Sequence, residues 1–183
     1  MTKKIRKSGT IALVLLTLCS IPAIAATSQS SAQSTDQSSV SVVNTDSGGY
    51  NYLTFPDKEA VKKDIGYLPK MAEKLSEEFS FHRGFIDPSY GKALALEYTK
   101  TGAAESQMVR VFANNLDMTI DGGVLIDNGS NPKLFYYEET YGENKIQRVM
   151  WQEDSITYIL AVNNYNLSRD ILKGMANAVI NQQ

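Results

Sequence analysis

Alternation of apolar and polar residues dominates the middle of the chain. From Lys92 to Lys100, Leu94, Leu96 and Tyr98 alternate with Ala93, Ala95, Glu97 and Thr99, so the first set is predicted to face a core. Gln107 to Ala113 repeats the pattern with Val109 and Val111 set against Arg110 and Phe112. Asp117 to Asp127 carries Gly122-Gly123 as a turn between β-branched residues. Lys133 to Thr140 and Lys145 to Trp151 read as strands joined by Tyr141-Gly142-Glu143-Asn144, a good hairpin turn. Glu153-Asp154 turns the chain again into Ser155 to Val162. Three successive antiparallel strands are the simplest topology for that stretch.

Helical periodicity flanks this region. Thr54-Phe55-Pro56-Asp57 fits a capping start, and Ala60, Val61 and Ile65 share one face before Gly66 stops the turn. After Pro69, Met71, Leu75 and Phe79 recur four apart, which predicts a second helix over Lys70 to Phe79; an extended loop is the alternative. Phe79-Ser80-Phe81 reads as a short strand before Gly84 and Pro88 break the run. At the far end, Ser168 is a good N-cap and Asp170 complements the helix dipole. Ile171, Leu172, Met175, Val179 and Ile180 form one apolar stripe there. Gly174 weakens that helix by about 1 kcal/mol relative to alanine and is expected to allow close approach to a sheet. The expected fold is α+β: an antiparallel β-sheet packed by N-terminal helical segments and a C-terminal amphipathic helix.

The first 25 residues change the picture by fixing a compartment. Lys3, Lys4, Arg6 and Lys7 precede an apolar run from Ile11 to Leu18, and Ala23-Ile24-Ala25 is the small-x-small pattern of a signal-peptidase site. The run is shorter than the roughly 20 residues of a membrane span; an uncleaved anchor is the alternative. Cys19 follows Leu18, where lipoprotein processing needs a small residue, so it reads as filler of the signal core. Cleavage after Ala25 removes this one cysteine, leaving no disulfide and no thiol nucleophile.

The leader also takes four of 18 basic residues, leaving 14 Lys+Arg against 20 Asp+Glu and a formal charge of −6. That balance, without a basic stripe, argues against nucleic acid as a partner. Residues 26–49, rich in Ser, Gln and Thr, bury too little apolar surface to offset backbone entropy and read as a disordered leader. Residues 50–183 are expected to form a single domain.

A family resemblance rests on Val149-Met150-Trp151-Gln152-Glu153-Asp154-Ser155-Ile156-Thr157-Tyr158-Ile159-Leu160, then Leu167-Ser168-Arg169-Asp170-Ile171-Leu172 and Met175-Ala176. This resembles the end of exported Firmicute proteins of the "domain of unknown function 4367" type. Lys63-Asp64-Ile65-Gly66-Tyr67-Leu68-Pro69-Lys70 through Phe79-Ser80-Phe81 is similar to the front of that pattern. Ser155 departs from it where glycine is usual, which leaves the turn type open. The resemblance implies a fold and an exported location and carries no catalytic residues. Within it, Trp151, Asp154, Tyr158 and Ser168 read as structural. Trp151 and Tyr158 face each other across a tight turn, where an aromatic pair adds up to roughly 1 kcal/mol.

Candidate chemistry is sparse. His82 is the one histidine, and no glycine-x-serine-x-glycine elbow or paired-histidine metal site accompanies it. Asp117, Asp121 and Asp127 match no EF-hand spacing and read as turn and edge residues. Glu138 and Glu139 are adjacent on a strand, so they point to opposite faces and cannot flank one glycosidic bond. Phe135, Tyr137 and Tyr141 share a strand face with Glu139 between them. Left uncovered, that face is an aromatic platform for sugar rings or a peptide strand; otherwise it packs under the helices.

The expected function is therefore a secreted or cell-envelope accessory protein, a non-catalytic binding or sensing module. Its partner is an unidentified protein or envelope component, with no cofactor, no metal and no membrane insertion after signal cleavage. The alternatives are an extracytoplasmic hydrolase with a site near His82, and a protein inhibitor.

Overall fold

The computed structural model describes residues 49–183, apart from residues 89, 90, 101, 103–106, 117, 128, 130, 164 and the side chain of residue 127. The signal segment, Cys19, almost the whole leader and Asp117 lie outside the described residues. Helix α1 (Lys58–Ile65) precedes seven strands: β1 (Phe79–Asp87), β2 (Ala93–Lys100), β3 (Met108–Asn114), β4 (Val124–Asp127), β5 (Leu134–Tyr141), β6 (Asn144–Glu153) and β7 (Ile156–Asn163). Helix α2 (Arg169–Ile180) closes the chain. All seven strands form one antiparallel sheet in the order β1-β2-β3-β7-β6-β5-β4. The protein is thus mixed α+β, and its last strand lies at the centre of the sheet.

Local chemistry accounts for the ends of the elements. Asp57 accepts hydrogen bonds from the amides of Glu59 and Ala60 at the start of α1, and Gly66 ends it in the left-handed region at φ 89°. Ser168 accepts from the Ile171 amide at the start of α2. Tyr141 pairs with Asn144 around Gly142-Glu143, and Glu153 pairs with Ile156 around Asp154-Ser155. Asp154 and Ser155 both have positive φ, 50° and 63°. This left-handed pair suits the twist of a two-residue hairpin, with serine adopting a positive φ that usually favours glycine.

Three expectations are corrected. Lys70 to Phe79 is not a helix but an irregular segment, because its backbone finds partners outside itself. Lys70 N–H donates to the Tyr158 hydroxyl, the Ala72 carbonyl accepts from Tyr98, and the Phe81 amide donates to the Glu73 carbonyl. Ser76 Oγ accepts from the amides of Glu78 and Phe79, a local turn that competes with helix. Met71, Leu75 and Phe79 are nonetheless all buried.

Second, Gly84 does not stop β1. The strand continues through it to Asp87, and Tyr52 bridges to it. A Cβ at Gly84 would stand 2.9 Å from the Leu96 side chain and 3.2 Å from the Ala95 carbonyl, so close approach requires glycine there. Third, Gly174 meets nothing within 4 Å of where a Cβ would stand, and Ile171 is 48% exposed. The buried stripe of α2 is Leu172, Met175, Ala176 and Val179.

One buried cluster takes in Val61 and Ile65 of α1, Met71, Ala72 and Leu75, the stripe of α2, and one face of the sheet. The sheet's share includes Leu96, Tyr98, Val111, Leu160, Val149, Trp151 and Tyr136. A polar clamp sits inside it. Gln147, 2% exposed, accepts from the Leu167 amide at 2.8 Å and donates to the Leu167 carbonyl and the Tyr136 hydroxyl, both at 2.9 Å. A side-chain amide here acts as one residue of a strand ladder and fixes the start of α2.

Two stability outcomes follow. Gly174→Ala should stabilise the fold by about 0.5–1 kcal/mol, because it removes backbone freedom without meeting a neighbour. Gln147→Leu should destabilise it by about 2–4 kcal/mol, since both main-chain groups of buried Leu167 lose their partner. Urea unfolding of the two variants against the parent chain checks both signs.

Candidate binding face

Of the motif residues, Trp151 and Tyr158 lie on the core side of the sheet, whereas Asp154 at the turn and Ser168 at the start of α2 are exposed. Trp151 and Tyr158 are directly paired, fully buried, and stacked with ring centroids 5.1 Å apart and planes 4° from parallel. Beside them, Lys70 Nζ donates to Glu153 at 2.9 Å and to the Ile180 carbonyl at 2.7 Å. The hairpin tip therefore ties the irregular segment to the end of α2. Trp151 Nε1 is buried with no acceptor among the described residues, a cost of about 1–3 kcal/mol that the burial of its ring area offsets.

The opposite face of the sheet has a different composition. Strand registers place Phe85, Ala95, Phe112, Ile159, Met150, Phe135 and Leu125 in one row across all seven strands. The neighbouring row is polar: Arg83, Glu97, Arg110, Ala161, Arg148 and Tyr137. On β7, Tyr158, Leu160 and Val162 are buried on the core face, whereas Ile159, Ala161 and Asn163 on the second face are only half-buried. Among the described residues Ala161 is only partly covered at the middle of the sheet, while Thr157 on the same strand face and Ala93, Ala95 and Glu97 on β2 are buried.

Glu97 anchors the polar row. It is 0% exposed, although sequence alternation alone reads it as outward-facing and solvated. Arg83 Nε donates to Glu97 Oε2 at 2.6 Å and Arg110 Nε to Oε1 at 2.8 Å, so the carboxylate is sandwiched by two guanidiniums from adjacent strands. Arg110 Nη2 also donates to Oε1. The Arg83 guanidinium lies 3.9 Å from the Tyr50 ring centroid, and that of Arg110 lies 5.6 Å from the rings of Phe85 and Phe112. Further along, Arg148 Nη1 donates to Glu139 at 3.0 Å. Arg83, Arg110 and Arg148 against Glu97 and Glu139 give the row and its flank one excess positive charge.

Phe135, Tyr137 and Tyr141 stand on this second face, with Glu139 among them. They do not form one flat surface. The link from β3 to β4 lies over part of the strand: Tyr137 donates to the Asp121 carbonyl at 2.9 Å, Gln152 donates to the Met118 carbonyl, and Gly123 presses on Tyr137 and Phe135. A Cβ at Gly123 would stand 2.6 Å from the Tyr137 ring. Tyr141 is 43% exposed and donates to Glu139 at 3.0 Å. His82 is exposed where the β1–β2 register shifts, between Phe81 and Arg83. Asp121 contributes its carbonyl to the link, and no helix among the described residues is long and apolar enough to cross a membrane.

No protein-family model, curated protein or solved structure matches this chain. Sequence reading missed Glu97 and its two arginines because they come together only through strand register. The available signal was a lone acid in an apolar strand, with one arginine in each of two flanking strands.

Burial also sets the alkaline behaviour of the hairpin. It pushes the Tyr158 phenol up to about 12, and the Tyr67 phenol likewise to about 12. A raised phenol favours the neutral, folded form. Its stabilising share is complete below the ordinary value near 10 and is lost as pH rises from there through 12. Circular dichroism and tyrosinate absorbance should show these phenols ionising together with unfolding above pH 10; ionisation near 10 in a folded protein would contradict the assignment.

Proposed function

We propose that this chain is an exported accessory module of the cell envelope or its surroundings, related to the "domain of unknown function 4367" proteins it resembles, and that it binds a partner rather than catalysing a reaction. In this reading the helices and the irregular segment cover one face of the sheet. The other face is the docking surface. The observation that carries it is the central strand: Ile159, Ala161 and Asn163 stay half-buried at the middle of the sheet, while Tyr158, Leu160 and Val162 behind them are buried. Apolar side chains from all seven strands form a row beside these residues, with arginines alongside. Apolar area interleaved with arginine and aromatic side chains is the composition that supplies most binding energy at protein interfaces.

The partner is a protein or envelope component met outside the membrane. The test is capture from the envelope of the producing cell with the parent chain, with Ala161→Lys, and with Ile171→Lys on the exposed side of α2. Ala161→Lys should lose the partner that the parent chain and Ile171→Lys retain, with all three unfolding at similar temperatures. Equal capture by a folded Ala161→Lys protein would overturn the assignment of this face.

A further inference from the structure

We infer that the dish over Ala161 is a recognition site for an acidic side chain set between apolar residues of a partner polypeptide. This rests on the second face being the binding surface and adds the chemistry of what it takes. Ala161 is paired with Arg110 on one side and with Arg148 on the other. Directly paired residues project to the same face. With strands spaced about 4.8 Å, the two arginine backbones stand about 9–10 Å apart across a floor no larger than a methyl group.

Each guanidinium is held from its far side, Arg110 by buried Glu97 and Arg148 by Glu139. Both are half-buried, with side chains 20% exposed. Anchoring from behind pre-organises the pair and lowers the entropy cost of binding. Among the described residues, Arg148 commits one of its five N–H donors to a hydrogen bond, and Arg110 retains donors beyond those on Glu97. Both oxygens of Glu97 are occupied, by Arg83 on one and Arg110 on the other. Among the described residues, the row and its Glu139 flank hold no third carboxylate for the excess positive charge.

The ligand chemistry follows from the surroundings. A carboxylate entering over Ala161 stands between two anchored guanidiniums that each keep N–H donors not committed to Glu97 or Glu139, and charge-assisted hydrogen bonds to such donors are strong. Groups next to that carboxylate lie along the row that holds Phe112, Ile159 and Met150, and so must be apolar. The sheet is also broad, about 29 Å across seven strands at about 4.8 Å, and although the link from β3 to β4 covers part of β5 this width suits a polypeptide rather than a small anion. An anionic lipid surface fits less well, because the chain without its first 25 residues carries 14 Lys+Arg against 20 Asp+Glu, a formal charge of −6.

The test uses alanine-methyl-labelled protein, with the Ala161 signal assigned by Ala161→Ser. Three probes are titrated: the blocked peptide acetyl-Ser-Phe-Glu-Phe-Ser-amide, its Gln counterpart, and sodium acetate. The Glu peptide should shift the Ala161 methyl and the Arg110 Nε–H signals, with the Gln peptide on the order of tenfold weaker and acetate weaker than either. Arg148→Gln, which leaves the buried Glu97 pair intact, should erase the Glu-over-Gln preference while the peptides still bind. Should Arg148→Gln fail to fold, as its melting temperature will show, the Glu-against-Gln comparison on the native protein decides alone. Equal affinity for the Glu and Gln peptides overturns the acid site but leaves the docking face standing. Acetate shifting the signals as strongly as the Glu peptide overturns the polypeptide partner. No shift with any probe, together with full capture by Ala161→Lys, overturns both readings.

Discussion

The structure depends on a single non-local ladder, the pairing of β3 with β7. Strands β1 to β3 form one meander and β4 to β7 another, and only the register from Val109↔Val162 to Asn114↔Thr157 joins them into one sheet. Partners in this ladder lie about fifty positions apart in the chain, so loop-closure entropy opposes it until both meanders exist. Its register also sets the chemistry. Pairing Arg110 with Ala161 aligns the polar row, and a slip of one residue would turn that row towards the buried cluster.

The two faces solve different problems. One gathers large side chains and pairs most of its polar groups internally, as Gln147 does for Leu167 and Tyr98 for the Ala72 carbonyl, with Trp151 Nε1 an exception. The other buries a carboxylate between two guanidiniums and the aromatic rings beside them. Taking an ion out of water costs several kcal/mol, and a well-paired arrangement only roughly balances that cost. The triad is therefore a poor device for stability alone. Its effect is to hold two half-buried arginines at fixed positions on the second face of the sheet.

Local patterns in the chain foretold much of this. The caps of α1 and α2, the alternation in β2 and β3, and the β5–β6–β7 hairpins were legible, because each is encoded within about ten consecutive residues. Three features were not. Lys70 to Phe79 carries helical spacing, yet tertiary hydrogen bonds to Tyr158 and Tyr98 capture its backbone. Gly84 looks like a breaker until Leu96 and Tyr52 are placed against it. The arginines around Glu97 are separated from it by 14 and 13 positions, and only strand pairing makes them neighbours. The aromatic positions on β5 were legible as a shared face, but not the link that crosses them, which is fixed by where β4 pairs.

The borders of the sheet differ as well. Along β1, Tyr52 bridges to Gly84 and Lys74 bridges to Ser80, so short stretches of the same chain occupy its outer rim. At the other border, β4 is four residues long and its register breaks between Leu125 and Asp127. A template that brief and irregular is a poor seed for further strands. The chain can thus carry a seven-stranded sheet while resisting stacking into fibrils, with no covalent cross-link within its domain to help.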